Sequence, residues 1–269
     1  MRITKMACSA AIVGTVLLGF AGAALAEEEK PTADLTVAAL NQYIWRGFAF
    51  SRDSVVVQPS MTVGYKGFSA NMWANVDSDL YATGGGDTSN NWTETDLTLS
   101  YAWAMGPVNY SAGYIYYGLD GIPDTQEFFA SAGLDVLLKP TLTIYRDTDN
   151  LAGWYLTLGI SHSLPLPNDL ALDLGAKVGY LAADGASSYG KVTNGVESAT
   201  DAYSGLLDGV LSASVTIPVT KYVSLIPQVA YSFALSSDAS DLLKARNLAA
   251  IDKEKDNFIY GGIACKLAF

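Results

Sequence analysis

The chain has 269 residues, half of them apolar, with 27 acidic against 16 basic side chains and a formal net charge of −11. So acidic a chain repels phosphate backbones, which argues against nucleic acid as a partner. Its two cysteines, Cys8 and Cys265, offer no disulfide framework.

The first 26 residues have the pattern of a cleavable leader. Arg2 and Lys5 precede an apolar run from Ala10 to Leu18, and Ala24-Leu25-Ala26 stands before Glu27-Glu28-Glu29. The run is shorter than the roughly 20 residues a spanning helix needs, so a retained anchor is not expected. Cys8 precedes the apolar run instead of closing it, which sets lipidation aside. Cleavage after Ala26 removes Arg2 and Lys5 and no acid, taking the net charge to −13 and leaving residues 27–269 as one unit.

From Ala33 onward the chain divides into segments of about ten residues in which apolar and polar side chains alternate. They cover 33–45, 54–66, 68–78, 92–104, 108–118, 126–138, 141–146, 153–163, 170–182, 205–217, 221–235 and 256–269. Successive residues of a strand point to opposite faces, so alternation marks a sheet with one apolar side. The links alternate too. Lys66-Gly67, Gly106-Pro107, Lys139-Pro140, Pro165–Asn168 and Pro218–Thr220 are tight, whereas 46–53, 79–91, 119–125, 183–204 and 236–255 are longer and polar, and 147–152 is short among these. Short turns at one end and long loops at the other predict an all-β fold: a single antiparallel transmembrane β-barrel of about twelve strands, its short turns facing the periplasm. A soluble sandwich would alternate as well. Export, aromatic residues at segment ends (Tyr43, Trp45, Phe68, Tyr101, Trp103, Tyr222) and the terminal Phe269 favour lipid as the apolar partner. Within 236–255, Leu242, Leu243 and Leu248 at near-helical spacing behind Ser/Asp predict a short loop helix.

The phase of alternation assigns an interior. The expected lumen-lining residues are Arg46, Gln58, Asn71, Asp77, Glu94, Asp96, Glu127, Asp135, Asp173, Lys177, Asp208 and Lys266. Acids outnumber bases among them, and carboxylates along a narrow wall favour cations. The expected function is passive passage of small polar solutes. The competing reading is a structural or assembly barrel whose lumen acids pair with Lys177, Lys266, Arg46 and Arg146. Arg46-Gly47 stands where the first segment enters its loop; inward pairing of Arg46 with a lumen acid is the expectation, and snorkelling beside Trp45 the alternative. Glu94 and Asp96, two apart, share a face.

Catalysis and metal binding are not expected. Twelve-stranded outer-membrane phospholipases use a Ser, a His and an Asn at the barrel wall, but His162 is the sole histidine, and its neighbours Ser161 and Ser163 face the opposite side of the strand. Asp79, Asp87, Asp147 and Asp149 lack the spacing of a calcium loop and are read as solvated charge. The expected partners are outer-membrane lipid, the barrel-assembly machinery and a small polar solute, with no cofactor; the oligomeric state is left open.

Leu40-Asn-Gln-Tyr-Ile-Trp-Arg-Gly-Phe48, Val57-Gln-Pro-Ser-Met-Thr-Val63 and Gly67-Phe-Ser-Ala-Asn-Met-Trp-Ala-Asn75 together resemble the N-terminal signature of the TorF-type family of porin-like bacterial outer-membrane β-barrels. In that family a strand ending in Tyr-(Val/Ile)-(Trp/Phe)-Arg-Gly precedes one containing Gln-Pro-Ser. The resemblance covers residues 33–77 and implies an exported outer-membrane barrel without naming a solute. The closing strand, ending in Phe269 with apolar alternate positions, is similar to the C-terminal signal by which such proteins are recognised for assembly. The leader reading predicts that the membrane-embedded protein begins at Glu27. Intact-mass measurement checks this, and a retained Met1 would refute it.

Overall fold

A computed structural model describes residues 30–51, 54–78, 91–246 and 255–269. The expected leader 1–26 and the loop residues Asp79 and Asp87 lie outside them. Twelve strands form the barrel wall: β1 (Thr32–Leu40), β4 (Val56–Tyr65), β5 (Phe68–Asp77), β6 (Asn91–Met105), β7 (Val108–Leu119), β8 (Thr125–Leu134), β9 (Thr141–Asp147), β10 (Gly153–Pro165), β11 (Ala171–Ala183), β14 (Ser204–Pro218), β15 (Val223–Ala234) and β16 (Asn257–Ala268). Each pairs antiparallel with its sequence neighbour in the wall. Pairing of β1 with β16, from Asp34↔Ala268 to Leu40↔Gly262, closes the ring and leaves no free edge. Two short hairpins stand apart from the wall, β2–β3 (Ile44–Trp45, Phe48–Ala49) and β12–β13 (Gly190–Thr193, Val196–Ala202), along with one helix, α1 (Ser237–Arg246). Among the described residues no helix is long and apolar enough to cross a membrane.

The alternation resolves into two chemically distinct faces. Outward positions carry Leu35, Val37, Met61, Val63, Leu97, Leu99, Leu158 and Val229, all substantially exposed. Aromatic rings gather at the two ends of this face. Phe68, Tyr101, Trp103 and Tyr110 form a ladder at the short-turn end with centroids 4.6, 5.8 and 5.5 Å apart, and Tyr222 stacks on Phe269 at 5.8 Å. Tyr114–Phe128 and Tyr231–Phe233 lie toward the long-loop end. Inward positions of the short-turn half are mostly small and polar, whereas those of the long-loop half mix large aromatic and aliphatic side chains with buried charges such as Asp77, Glu94, Glu127, Asp147 and Asp208.

Three of the described hairpin tips are Xaa-Gly pairs with both residues at positive φ: Arg46-Gly47 (50°, 83°), Lys66-Gly67 (51°, 82°) and Asn194-Gly195 (52°, 75°). This is the type I′ geometry, whose twist matches the strands it joins.

The wall departs from the sequence expectation in two places. The first segment leaves the wall at Leu40 instead of running to 45, because residues 41–51 turn inward as the β2–β3 hairpin. The sixth ends at Leu134 instead of 138, because Asp135–Lys139 form an exposed turn. The helix expected within 236–255 is present as α1, carrying Leu242 and Leu243, whereas Leu248 lies outside the described residues.

At Gly67 a side chain would meet both a left-handed backbone and a Cβ placed 2.6 Å from the Ala102 carbonyl oxygen. Gly67→Ala should therefore cost about 1–3 kcal/mol of folding free energy, read as a lowered urea midpoint of the refolded barrel.

Candidate functional site

The inward hairpin fills the long-loop half of the barrel. Asn41 anchors its start on β16, donating its N–H to the Gly261 carbonyl at 3.0 Å and accepting from the Gly261 N–H at 2.7 Å. The hairpin closes on itself through Phe50 N–H to the Tyr43 carbonyl (2.9 Å) and Tyr43 N–H to Ser51 Oγ (2.6 Å). Its apolar side chains then find partners inside the barrel. Tyr43 packs on Trp73 of β5 at 5.5 Å, Trp45 meets Tyr117 of β7 edge-on at 6.0 Å, and Ile44, Phe48 and Ala49 are buried. Inward aromatic and aliphatic residues of the long-loop half thus pack on this plug.

At its tip Arg46 is 8% exposed and makes a two-pronged ion pair with Glu127 of β8: Nη1 donates to Oε1 at 2.7 Å and Nη2 to Oε2 at 2.6 Å. The Tyr117 hydroxyl donates to the same Oε2 at 2.8 Å. The guanidinium carbon lies 4.3, 5.0 and 4.2 Å from the ring centroids of Trp45, Tyr145 and Tyr155. Burying one charge alone would cost several kcal/mol; the forked pair satisfies the carboxylate's lone pairs, and the ring faces supply cation–π attraction. Tyr155 links this pair to a second one. Its hydroxyl donates to Asp208 Oδ1 at 2.6 Å and accepts from Lys177 Nζ at 3.0 Å, and Lys177 lies 3.2 Å from Asp208 Oδ2. One polar chain therefore runs from β8 through the plug to β10, β11 and β14.

A lid covers the plug. Leu242, Leu243 and Ala239 of α1 are fully buried, and a side chain at Gly47 would stand 3.0 Å from Leu243 and 3.2 Å from Asp208 Cβ. Only a glycine in left-handed backbone lets the plug tip approach the helix this closely. Phe48 stacks on Tyr189 at 5.9 Å. Arg246 at the end of α1 binds Glu197 of β13 and lies over Tyr189, and Lys191 pairs with Asp238 at 3.1 Å, which joins helix and second hairpin into one cover.

The other expected lining residues are distributed as follows. Gln58 Nε2 donates to Asn75 Oδ1 at 3.0 Å, Asn71 donates to Ser60 and Thr62, Asp77 accepts from Ser54 at 2.6 Å, and Asp173 accepts from Thr216 at 3.3 Å. Glu94 and Asp96 point inward side by side, with Glu94 in hydrogen-bonding range of Asp96 and of Tyr43 at the plug's base. Lys266 sits 3.8 Å from Asp34 near the short-turn mouth. Asp135 does not line the lumen. It lies exposed in the β8–β9 turn, its N–H donating to the Pro107 carbonyl, because the strand ends before it. Phe269 closes the β1 ladder through Ala33 and is 70% exposed.

Arg146, considered as a partner for lumen acids, points outward instead. It pairs with Asp184 at 2.5 Å and lies 5.2 Å from the Trp154 ring. Its guanidinium holds the Asp184 carboxyl below the ordinary carboxylate range. The pair therefore contributes above the carboxyl's usual pKa and is lost as pH falls, and its exposure keeps that contribution small. Tyr117 and Tyr155 were not singled out from the sequence, although both occupy the inward phase of their strands. Nothing local distinguishes a tyrosine that holds a charge from one that fills space.

No family model matches the chain, and no curated protein aligns with it. Among solved structures, an anion-selective porin from Comamonas acidovorans aligns over 89% of this chain and 98% of its own, at 10% identity and a TM-score of 0.35. A porin whose structure was refined at 1.8 Å aligns over 90% and 100%, at 9% identity and 0.31. A variant of the ferric enterobactin receptor from Pseudomonas aeruginosa aligns over 76% of this chain and 39% of its own, at 12% identity and 0.29. What the barrel does has to be read from its own side chains.

Breaking the plug's ion pair should expose its tip. In the intact barrel the Arg46–Gly47 bond should resist trypsin. Glu127→Gln leaves a buried guanidinium without its counter-charge, a loss of about 3 kcal/mol, and cleavage there should accelerate by about two orders of magnitude. Mass spectrometry of timed digests reads this directly.

Proposed function

We propose that this chain is a porin-like barrel of the bacterial outer membrane that passes small polar solutes, favours cations, and is held shut at rest by its first connection. The observation that carries the reading is the seating of Arg46 on Glu127 inside a closed wall. A lumen with no traffic to control has no need of a separate charged plug, since wall side chains can fill it. The apolar, aromatic-ended outer face supports lipid as its surroundings. The cation preference rests on the interior inventory: Asp34, Asp77, Glu94, Asp96, Glu127, Asp173 and Asp208, together with Asp147, which ends β9 buried and accepting from Thr125 instead of standing as solvated loop charge, against Arg46, Lys177 and Lys266. Export by the 1–26 leader, recognition of the Phe269 strand by the assembly machinery and kinship with the TorF-type barrels belong to the same proposal. No enzymatic step does, since His162 lies on the outward face with its Nδ1 3.0 Å from the Leu137 carbonyl oxygen, while Ser161 and Ser163 point inward.

The tight packing around the plug favours a second reading, a barrel that never conducts. Planar-bilayer recording separates the two. The wild-type protein should open rarely, and Arg46→Ala should open at least tenfold more often, with a reversal potential displaced toward the cation's. Sealed bilayers for both proteins would establish the non-conducting barrel.

A further inference from the structure

The pocket that receives Arg46 is built mainly by the wall. Glu127 of β8 presents both carboxylate oxygens, Tyr117 of β7 braces one of them, and the rings of Tyr145 (β9) and Tyr155 (β10) flank the guanidinium. These four side chains belong to strands locked in the ladder and keep their places if the hairpin withdraws. Of the surrounding rings described, Trp45 is the one that would leave with it. What remains is the Glu127 carboxylate, 2% exposed in its side chain while the hairpin is seated, and Lys177, which bonds the Tyr155 hydroxyl, is already engaged by Asp208. A carboxylate walled by ring faces is a receptor for a planar cation.

The geometry points to a solute-binding site at Glu127, Tyr117, Tyr145 and Tyr155 for small molecules carrying a guanidinium group, which the chain's own Arg46 occupies in the closed barrel. Arg46 is then a tethered stand-in for the solute, and closure is competition for one site. This assignment rests on the reading of the barrel as a conduit favouring cations. The class of cation follows from the bonds: two oxygens are each met by a separate N–H at 2.7 and 2.6 Å, a fork that a primary ammonium cannot reproduce. The tether gives Arg46 an effective concentration in the millimolar range, so a free solute competes only at comparable levels. Arg46 also pays for its seat with a left-handed backbone at φ 50°, a strain that a free solute does not carry.

The test uses the full barrel refolded in detergent with Arg46→Ala, titrated by calorimetry and thermal unfolding with L-arginine and millimolar guanidinium chloride, and with L-lysine and choline for comparison. L-arginine should bind at least tenfold more tightly than L-lysine and raise the unfolding midpoint, and adding Glu127→Gln should abolish both effects. Equal binding of L-arginine and L-lysine, or binding that survives Glu127→Gln, would overturn the assignment. Should Arg46→Ala not form a barrel, Arg46→Lys replaces it. L-arginine should then expose the plug to trypsin at a concentration at least tenfold lower than in the wild type, and equal protection in the two proteins would count against the site. Bilayer recording of the same samples keeps the two ideas apart. Arginine binding without current supports the site and removes the conduit, whereas current with no arginine preference does the reverse.

Discussion

A guanidinium cannot sit inside a barrel wall unless its charge is answered there, and most of the interior is arranged around that constraint. Glu127 answers Arg46 directly, Tyr117 braces Glu127, and Tyr155 ties the pair to Lys177 and Asp208. The hairpin itself is short and contributes only two residue pairs of its own ladder. Its position comes from the charges and rings it meets, not from its own hydrogen bonds.

The wall and the plug obey different rules. The wall is satisfied by its backbone, since every strand has two neighbours and the ring has no edge. This lets outward side chains be mostly apolar and frees the inward ones for other work. The plug has no such ladder and depends on specific side chains, so a change that the wall would absorb can unseat it. The lid adds a third layer, in which α1 brings Leu243 onto the Gly47 tip and buries Ala239 and Leu242 in the same apolar cluster as Phe48.

The twelve segments were legible in the sequence because a strand's two-residue period survives in any single chain, and ten of their boundaries fall close to the observed strands. The two that missed did so where the alternation continued past the end of the wall: Tyr43 and Trp45 continue the first strand's pattern while facing the interior from a hairpin, and Val136 and Leu138 continue the sixth's from a turn. Inward pairing of Arg46 was also foreseeable, since Arg46 follows Gln42 in phase. Its partner was not, because Glu127 is 81 residues away and nothing in either local sequence names the other. Arg146 shows the converse: it stands one residue from the inward Tyr145 and Asp147 and so faces out, which strict phase predicts and a tally of nearby charges obscures.

The depth of the Arg46–Glu127 pair has a consequence for the surroundings in which the barrel can work. Dissolved ions weaken attraction between charges they can reach, over a length of about 8 Å at physiological strength, and reach buried pairs far less. Arg146–Asp184 on the outer face and Lys191–Asp238 in the lid are open to that screening, whereas Arg46 and Glu127 are shielded by rings on three sides and by the lid above. The cover can loosen as dissolved salt rises while the Arg46–Glu127 pair beneath it holds, so the seat of the plug is largely insensitive to ionic strength.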